Sequence, residues 1–282
     1  MNFFKPATTT STTTSTTTKA TPSDRLIALC TGINDYPGTQ NDLRGCVNDA
    51  RDWSDLLTNV YGFKVYSLLD SSCKVTAFVD TFGNMLSSSK PNDHIVLTYS
   101  GHGSNVPDVD GDEEDGRDEC LCLYDEFLTD DVIRGAIQKL NPEAKLTIIS
   151  DSCHSGTVTR AFLAAMDNDN DAKPRYLPPS DIASIREVKE SNITGKIFLP
   201  ESGMKEVLIA GCQSTEYSYD AYLGNTSRGA MSYYATRVLR TTPKITYADF
   251  YAKLRQSLPN SSYPQTPMLE SSDANKNMFM FS

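Results

Sequence analysis

Short, continuous apolar runs alternate with segments of helical periodicity along most of this chain. A strand that is apolar on both faces must be covered on both, which is typical of parallel sheets. Helical segments between such strands act as crossovers that keep the strands parallel. The pattern therefore predicts an α/β fold with a mostly parallel central sheet flanked by helices on both faces. The predicted strands are Leu26–Ile33, Lys64–Leu69, His94–Ser100, Lys145–Ser150 and Val207–Cys212.

The remaining elements follow from apolar spacing and turn residues. The predicted helices are Gly45–Val60, Val75–Leu86, Thr129–Leu140, Ala230–Leu239 and Thr246–Leu258. Further short strands are expected at Cys120–Tyr124, Pro267–Glu270 and Asn277–Phe281. Residues 7–18 are Thr or Ser apart from Ala7, and such a segment buries too little apolar surface to offset its ordering entropy. We therefore predict a disordered tail over residues 1–24 and one folded domain over residues 25–282.

The charge balance is acidic, with 26 basic and 36 acidic side chains and a net charge of −10. This excludes a binder of nucleic acid or anionic membranes, because phosphate contact needs basic patches. No apolar run reaches the roughly 18 residues of a membrane span, and no signal peptide is visible at the N-terminus. The seven cysteines form no disulfide pattern. A reducing, cytoplasmic location is expected.

Two strand ends carry residues suited to chemistry. Gly101-His102-Gly103 follows the third predicted strand, and Cys153 lies on a turn of small residues after the fourth. The carboxyl ends of neighbouring parallel strands share one edge of a sheet. There an imidazole can take the proton of a thiol, and the thiolate can attack a carbonyl. Of the other two histidines, we expect His94 to be structural. We do not expect His154, which directly follows Cys153, to act as the base.

The motifs Tyr99–Ser104 (YSGHGS) and Asp151–Gly156 (DSCHSG) resemble those of the metacaspases, relatives of the caspases. The likeness extends over residues 25–282 and fits a first-type member without a zinc-finger prodomain. Further matching segments are Gly45–Ala50, Asp110–Glu119, Asp130–Asp131 and Val207–Gln213. By this resemblance, residues 25–156 correspond to the large subunit, 157–205 to a linker and 206–282 to the small subunit.

The resemblance implies a caspase-like sandwich and a monomeric cysteine endopeptidase that cleaves proteins or peptides after Arg or Lys. His102 would be the base and Cys153 the nucleophile, and the N–H groups of Gly103 and Cys153 would stabilise the oxyanion. The pocket for the basic side chain (S1) maps onto Asp49, Ser100 and Asp151. A cation inserted into a crevice needs such a carboxylate partner. For Asp49, stabilisation of a helix N-terminus is the alternative.

The segment from Asp108 to Glu119 holds eight carboxylates, a density that suits Ca²⁺. An EF-hand is excluded because Glu113 stands where that loop requires Gly. The resemblance implies Ca²⁺ as activator, with Asp118, Asp130 and Asp131 as ligands, although Arg160 replaces a further acidic ligand. Helix capping is the alternative role of Asp130 and Asp131.

An enzyme that cleaves after basic residues could process itself, since the linker carries seven of them, Lys173 and Arg175 included. We therefore predict a self-processing zymogen. The candidate cleavage sites are Lys19, Arg25, Arg186, Lys189, Lys196 and Lys205. Two alternatives remain at this point: a catalytically silent caspase-like module for binding or signalling, and a calcium-binding regulatory protein on the same fold.

Overall fold

A six-stranded sheet forms the centre of the structure, a computed structural model that describes residues 25–107, 117–153, 172–178 and 204–282. Its strands are β1 Leu26–Gly32, β2 Lys64–Leu69, β3 His94–Ser100, β7 Lys145–Asp151, β9 Glu206–Ala210 and β12 Met268–Glu270. The strand order is β12-β9-β7-β3-β1-β2. Five strands are parallel and β12 pairs antiparallel at one edge.

Helices cover both faces of this sheet, as the sequence pattern predicts. They are α1 Cys46–Asn59, α2 Val75–Ser87, α3 Asp130–Ile137, α4 Ala230–Thr241, α5 Tyr247–Leu254 and α6 Asp273–Lys276. Alternate residues of a strand point to opposite faces. Accordingly Leu97 packs in one core with Phe78 and Phe82 of α2, while its neighbour Val96 packs in the other with Trp53 of α1 and Phe250 of α5.

Two small antiparallel sheets adjoin the carboxyl edge of the central sheet. The first contains β4 Gly103–Pro107, β5 Arg117–Cys122 and β6 Phe127–Thr129. The second contains β8 Ala172–Pro174, β10 Tyr219–Leu223 and β11 Thr226–Gly229. β4 begins just after β3, and Ser218, directly before β10, donates to the Cys153 sulfur. Both sheets therefore stand beside the strand ends that carry His102 and Cys153.

The prediction of a strand at Asn277–Phe281 is wrong. This segment forms only one isolated bridge, between Thr246 and Phe279. Its apolar residues Met280 and Phe281 are buried in the core instead, so burial rather than strand pairing explains the apolar pattern.

The predicted disordered tail lies outside the described residues. Among the helices of the described part, none is long and apolar enough to cross a membrane.

Candidate active site

The register of the central sheet brings the two strand-end motifs side by side. Ser100 at the end of β3 pairs with Asp151 at the end of β7. His102 and Cys153 each follow two residues later, so they leave the sheet at the same level on neighbouring strands. Both side chains are almost completely buried. The structure therefore brings these two residues to the same edge of the sheet.

Two tyrosines fix the turn that carries His102. The Tyr36 hydroxyl accepts a hydrogen bond from the His102 N–H at 2.9 Å, and the Tyr99 hydroxyl donates to the His102 carbonyl at 2.7 Å. Gly101 lies against both hydroxyls, and a Cβ there would come within 2.6–2.7 Å of them. Such an approach requires Gly. The tyrosines thus hold the imidazole through the backbone of its own turn.

The tautomer of His102 follows from the hydrogen bond of its Nε2. Nε2 lies 2.7 Å from the Asn41 carbonyl, which can only accept, so Nε2 carries the proton. Nδ1 is then the basic nitrogen, and it has no hydrogen-bond partner among the described residues. Burial lowers the pKa of His102 to about 3. The imidazole is therefore neutral at physiological pH and can accept a proton.

A peptide bond of the chain itself occupies the site. The Arg175 carbonyl accepts hydrogen bonds from the N–H of Gly103 at 3.0 Å and from that of Cys153 at 3.2 Å. These are the two groups that the resemblance implies as oxyanion donors. The Arg175 N–H donates to the Ser218 carbonyl at 2.9 Å, and the Ser218 N–H donates to the Cys153 sulfur at 2.6 Å. The Arg175–Tyr176 bond thus lies against the backbone of Gly103 and Cys153.

The Arg175 side chain is completely buried in an acidic pocket. Its guanidinium forms ion pairs with Asp49 at 2.6 Å, Asp220 at 3.0 Å and Asp151 at 3.3 Å. Nη1 also donates to the Ser100 hydroxyl at 2.9 Å. All three residues named from the resemblance, Asp49, Ser100 and Asp151, therefore meet around one cation. A planar guanidinium offers five donors, which suits several carboxylates at once.

Further hydrogen bonds orient the carboxylates. Asp49 accepts from the Ser100 hydroxyl at 2.8 Å and from the Gly229 N–H. Asp151 accepts from the Ser218 hydroxyl and from the Ser232 N–H at 2.9 Å. Gly229 is the floor of the pocket, because a Cβ there would overlap both Asp151 and the guanidinium.

Burial shapes the charges of this pocket. It raises the pKa of Asp49 to about 7, although Arg175 acts in the opposite direction. Burial alone would lower the pKa of Arg175, but the acidic groups around it raise that pKa well above its ordinary value. A cation in this pocket therefore stays charged. Helix-terminal stabilisation, the alternative role of Asp49, does not account for its contact with Arg175 in the pocket.

Sequence reasoning missed two residues of this site. Asp220 completes the pocket from β10, and its only signal was an acidic residue within the tyrosine-rich segment Tyr217–Tyr222. Arg175 was one basic residue among seven in the linker. Nothing local distinguishes it from the others, because its position depends on the pairing of β8 with β10.

The structure presents none of the named self-cleavage candidates among the described residues to Cys153. Arg25 precedes β1 and forms an ion pair with Asp93 at 2.8 Å, and Lys205 precedes β9. Both lie at the amino edge of the parallel strands, opposite Cys153. Lys19, Arg186, Lys189 and Lys196 lie outside the described residues.

The acidic residues named as calcium ligands lie beside β5 and β6. Asp118 is on β5, and Asp130 and Asp131 open α3 directly after β6. Asp130 pairs with Arg134 at 2.7 Å. Within the described ranges, no group of three or more His, Cys, Asp or Glu converges in a way that could hold a metal ion. Most of the acidic loop, residues 108–116, lies outside those ranges, as does Arg160.

Comparisons with known proteins agree with this architecture. A family model described as the caspase domain matches residues 25–279. Metacaspase-1 of Meyerozyma guilliermondii is 29% identical over 89% of this chain and 70% of its own length. Metacaspase-1 of Kluyveromyces lactis is 30% identical over 87% of this chain and 65% of its own length. This chain therefore spans about two thirds of the length of these relatives.

A solved structure has a similar fold. Protein GSU0716 from Geobacter sulfurreducens superposes with a TM-score of 0.71 at 26% identity, over 92% of this chain and 98% of that chain. The fold and these similarities define a caspase-like cysteine peptidase, whose substrates are proteins or peptides. The chain belongs to the caspase-domain family, and within that family it is a metacaspase.

Proposed function

We propose that this protein is an endopeptidase that cleaves after Arg or Lys through His102 and Cys153, and that its first substrate is its own Arg175–Tyr176 bond. The observation that carries the proposal is the placement of Arg175. Its side chain pairs with Asp49, Asp151 and Asp220, while its carbonyl accepts from the N–H groups of Gly103 and Cys153. A bound substrate needs both contacts at once.

The reaction follows from these positions. Nδ1 of His102 takes the Cys153 proton, and the sulfur attacks the carbonyl carbon. The two N–H groups stabilise the oxyanion as it forms. The imidazolium then gives its proton to the leaving amine, the C–N bond breaks, and an acyl-enzyme on Cys153 remains. Water hydrolyses this thioester with His102 again as base.

Self-processing follows from the same arrangement. While Arg175 fills the pocket, a second basic side chain has no access to Asp49 and Asp151. The uncut chain is therefore a zymogen with respect to other substrates. Cleavage after Arg175 frees both ends of the blocking segment and lets it leave the site.

The direct test of specificity is a set of fluorogenic peptides that differ only in the residue before the fluorophore: Arg, Lys, Gln or Asp. We expect hydrolysis after Arg and, more slowly, after Lys, because one ammonium serves three carboxylates less well than a guanidinium. Gln and Asp should give at least about a hundredfold less, since an unpaired buried charge costs about 3–5 kcal/mol. Equal hydrolysis after Gln would contradict the proposed pocket. No hydrolysis of any peptide by the folded protein, with its 175–176 bond also left intact, would favour the silent binding module.

The pH dependence of the pocket gives a second test. Arg175 lowers the pKa of Asp49 against the effect of burial, so a cation binds the ionised carboxylate best. With the guanidinium in place the pKa of Asp49 is about 7, and it is higher in the vacated pocket, so binding should strengthen as pH rises above about 7. We would measure the inhibition constant of a small alkylguanidinium between about pH 6 and about pH 9. Asp49→Asn should weaken inhibition and remove its pH dependence. An inhibition constant that is flat across this range in the wild type would contradict the role of Asp49.

Calcium activation remains part of the proposal. Its support is the acidic loop together with Asp118, Asp130 and Asp131, which lie on adjoining elements. Bound Ca²⁺ would supply an electrostatic link between these carboxylates. The peptide assay should be run with Ca²⁺ and with a chelator. Equal rates in the two conditions would contradict activation by calcium.

We also expect a cytoplasmic monomer. Sedimentation can test the oligomeric state, and cell fractionation can test the location.

A further inference from the structure

The two residues that follow Arg175 are held by β4 and by the core. The Leu177 N–H donates to the Gly103 carbonyl at 3.0 Å, and the Ser104 hydroxyl donates to the Leu177 carbonyl at 2.7 Å. The Leu177 side chain is only 2% exposed and belongs to the same core cluster as Leu121 of β5. Burial of an apolar side chain of this size is favourable. Leu177 therefore anchors the chain beside β4.

Tyr176 has a separate place beside the proposed nucleophile. Its side chain is buried and packs in one cluster with Cys153 and Tyr217. The ring centroids of Tyr176 and Tyr217 are 6.4 Å apart, and Nδ2 of Asn105 donates to the Tyr176 hydroxyl at 3.4 Å. Tilted aromatic pairs at this separation attract each other. The tyrosine ring is therefore held between β4 and the segment that precedes β10.

These contacts of Tyr176 and Leu177 are independent of Arg175. The arginine is held by its own carboxylates and by the Ser218 carbonyl. Breaking the C–N bond after Arg175 therefore leaves the contacts of the next two residues intact. In the proposed reaction, the new α-amino group of Tyr176 then stays beside the acyl-enzyme on Cys153 until the segment leaves the site.

We propose that the acyl-enzyme transfers its acyl group to peptide amines as well as to water, so that the protein also acts as a peptide ligase. The inference rests on the proposed function and adds a second class of acceptor at the same site. That class is chains whose amino end is an aromatic residue followed by an aliphatic one, as in Tyr176 and Leu177. A nucleophile that is held in place has the advantage of an intramolecular reaction over water from solution.

The ligation step is the reverse of acylation. The neutral amine attacks the carbonyl carbon of the thioester, and the N–H groups of Gly103 and Cys153 stabilise the oxyanion. His102 accepts the proton that the amine loses and passes it to the departing sulfur. One C–N bond forms and one C–S bond breaks, so the step needs no oxidant, reductant or further reactant.

Acceptor peptides test the ligation in solution. The wild-type protein is given a fluorogenic acetyl-Ala-Lys-Pro-Arg donor together with Tyr-Leu-Pro-Pro-Ser-amide, which copies residues 176–180. Early samples are analysed by mass spectrometry for the hydrolysed donor and for the joined peptide. With acceptor in the millimolar range, we expect the joined peptide to reach at least about a tenth of the product. Its share should saturate as the acceptor concentration rises, because the acceptor binds before it reacts.

Two altered acceptors separate a held amine from a general reaction of the thioester. An acceptor with an acetylated amino end has no nucleophile, and we expect no joined peptide from it. Tyr-Glu-Pro-Pro-Ser-amide places a charge where Leu177 is buried and should give about tenfold less joined peptide. Equal ligation of the Glu acceptor would overturn the proposal, since the amine would then react without being held.

The failure of ligation and the failure of the proposed function give different results. Hydrolysis of the donor without any joined peptide would overturn the ligase and leave the peptidase in place. A donor that is neither hydrolysed nor joined would instead refute the proposed function.

A variant of β4 tests the placement of the acceptor. Ser104→Ala removes the hydrogen bond to the Leu177 carbonyl and should lower the ratio of ligation to hydrolysis about threefold to tenfold. Ser271→Ala is the matched control, because Ser271 is also buried and its hydroxyl donates to the Glu206 carbonyl at 2.7 Å. The control should keep the ratio of the wild type. An unchanged ratio in Ser104→Ala, or an equal loss in both variants, would overturn the placement of the acceptor on β4.

Discussion

Replacing Cys153 with alanine is expected to lower the hydrolysis of Arg-containing peptides by at least about a thousandfold, to the background without enzyme. In the proposed reaction the sulfur forms the acyl-enzyme, and the N–H of the same residue donates to the Arg175 carbonyl. The same variant should remain uncut, because self-processing uses the same nucleophile. Rates are measured with the fluorogenic Arg peptide and by gel electrophoresis of the incubated protein.

Cys73→Ala is a suitable control for this experiment. Cys73 is also completely buried, but burial raises the pKa of its thiol to about 12 and it lies in the core beside α2. Its removal should cost stability and leave the rate per folded molecule unchanged. Undiminished hydrolysis by purified Cys153→Ala, or equal losses in the two variants at equal folded fraction, would refute Cys153 as the nucleophile.

Replacing Arg175 with glutamine is expected to slow cleavage of the 175–176 bond by at least about a hundredfold. Glutamine cannot neutralise the three buried carboxylates, and an unpaired buried charge costs about 3–5 kcal/mol. The segment should therefore leave the pocket. Arg175→Lys should still be cut, more slowly than the wild type, because it keeps the charge but loses the planar fork. A time course of fragment formation measures both rates.

The two Arg175 variants also separate a substrate from a merely structural ion pair. With the pocket vacated, Arg175→Gln should hydrolyse the Arg peptide at least as fast as uncut wild-type protein. If the ion pairs mainly stabilise the fold, this variant should instead lose peptide hydrolysis together with its thermal transition. Cleavage of Arg175→Gln after residue 175 at the wild-type rate would contradict the role of the pocket.

The central sheet and its covering helices could be predicted because their signals are local. β3 is apolar enough for all seven of its residues to be buried, and α1 and α2 show helical spacing. Strand boundaries differ by one or two residues, as for β9, which ends at Ala210 rather than Cys212. The small sheets lack such signals. β8 has three residues and is a strand through its pairing with β10. This pairing is a tertiary contact, so the local sequence does not indicate it.

The candidate site divides in the same way. His102, Cys153, Asp49, Ser100 and Asp151 lie in motifs that can be read along the chain. Their convergence follows from the register that pairs Ser100 with Asp151. Arg175 and Asp220 could not be predicted from the sequence. Nothing near either residue along the chain indicates the pocket, because both reach it through the pairing of β8 with β10. Their ion pair at 3.0 Å joins residues 45 positions apart.

The most direct test of the account is the identity of the new chain ends after self-processing. Wild-type protein and Cys153→Ala are purified, incubated with and without Ca²⁺, and analysed by intact mass and by sequencing of the new amino terminus. We expect the wild type to yield one fragment ending at Arg175 and another beginning at Tyr176, and Cys153→Ala to yield neither. A wild-type protein that cleaves Arg peptides but leaves this bond intact, or a Cys153→Ala protein that is cut there equally, would contradict the account.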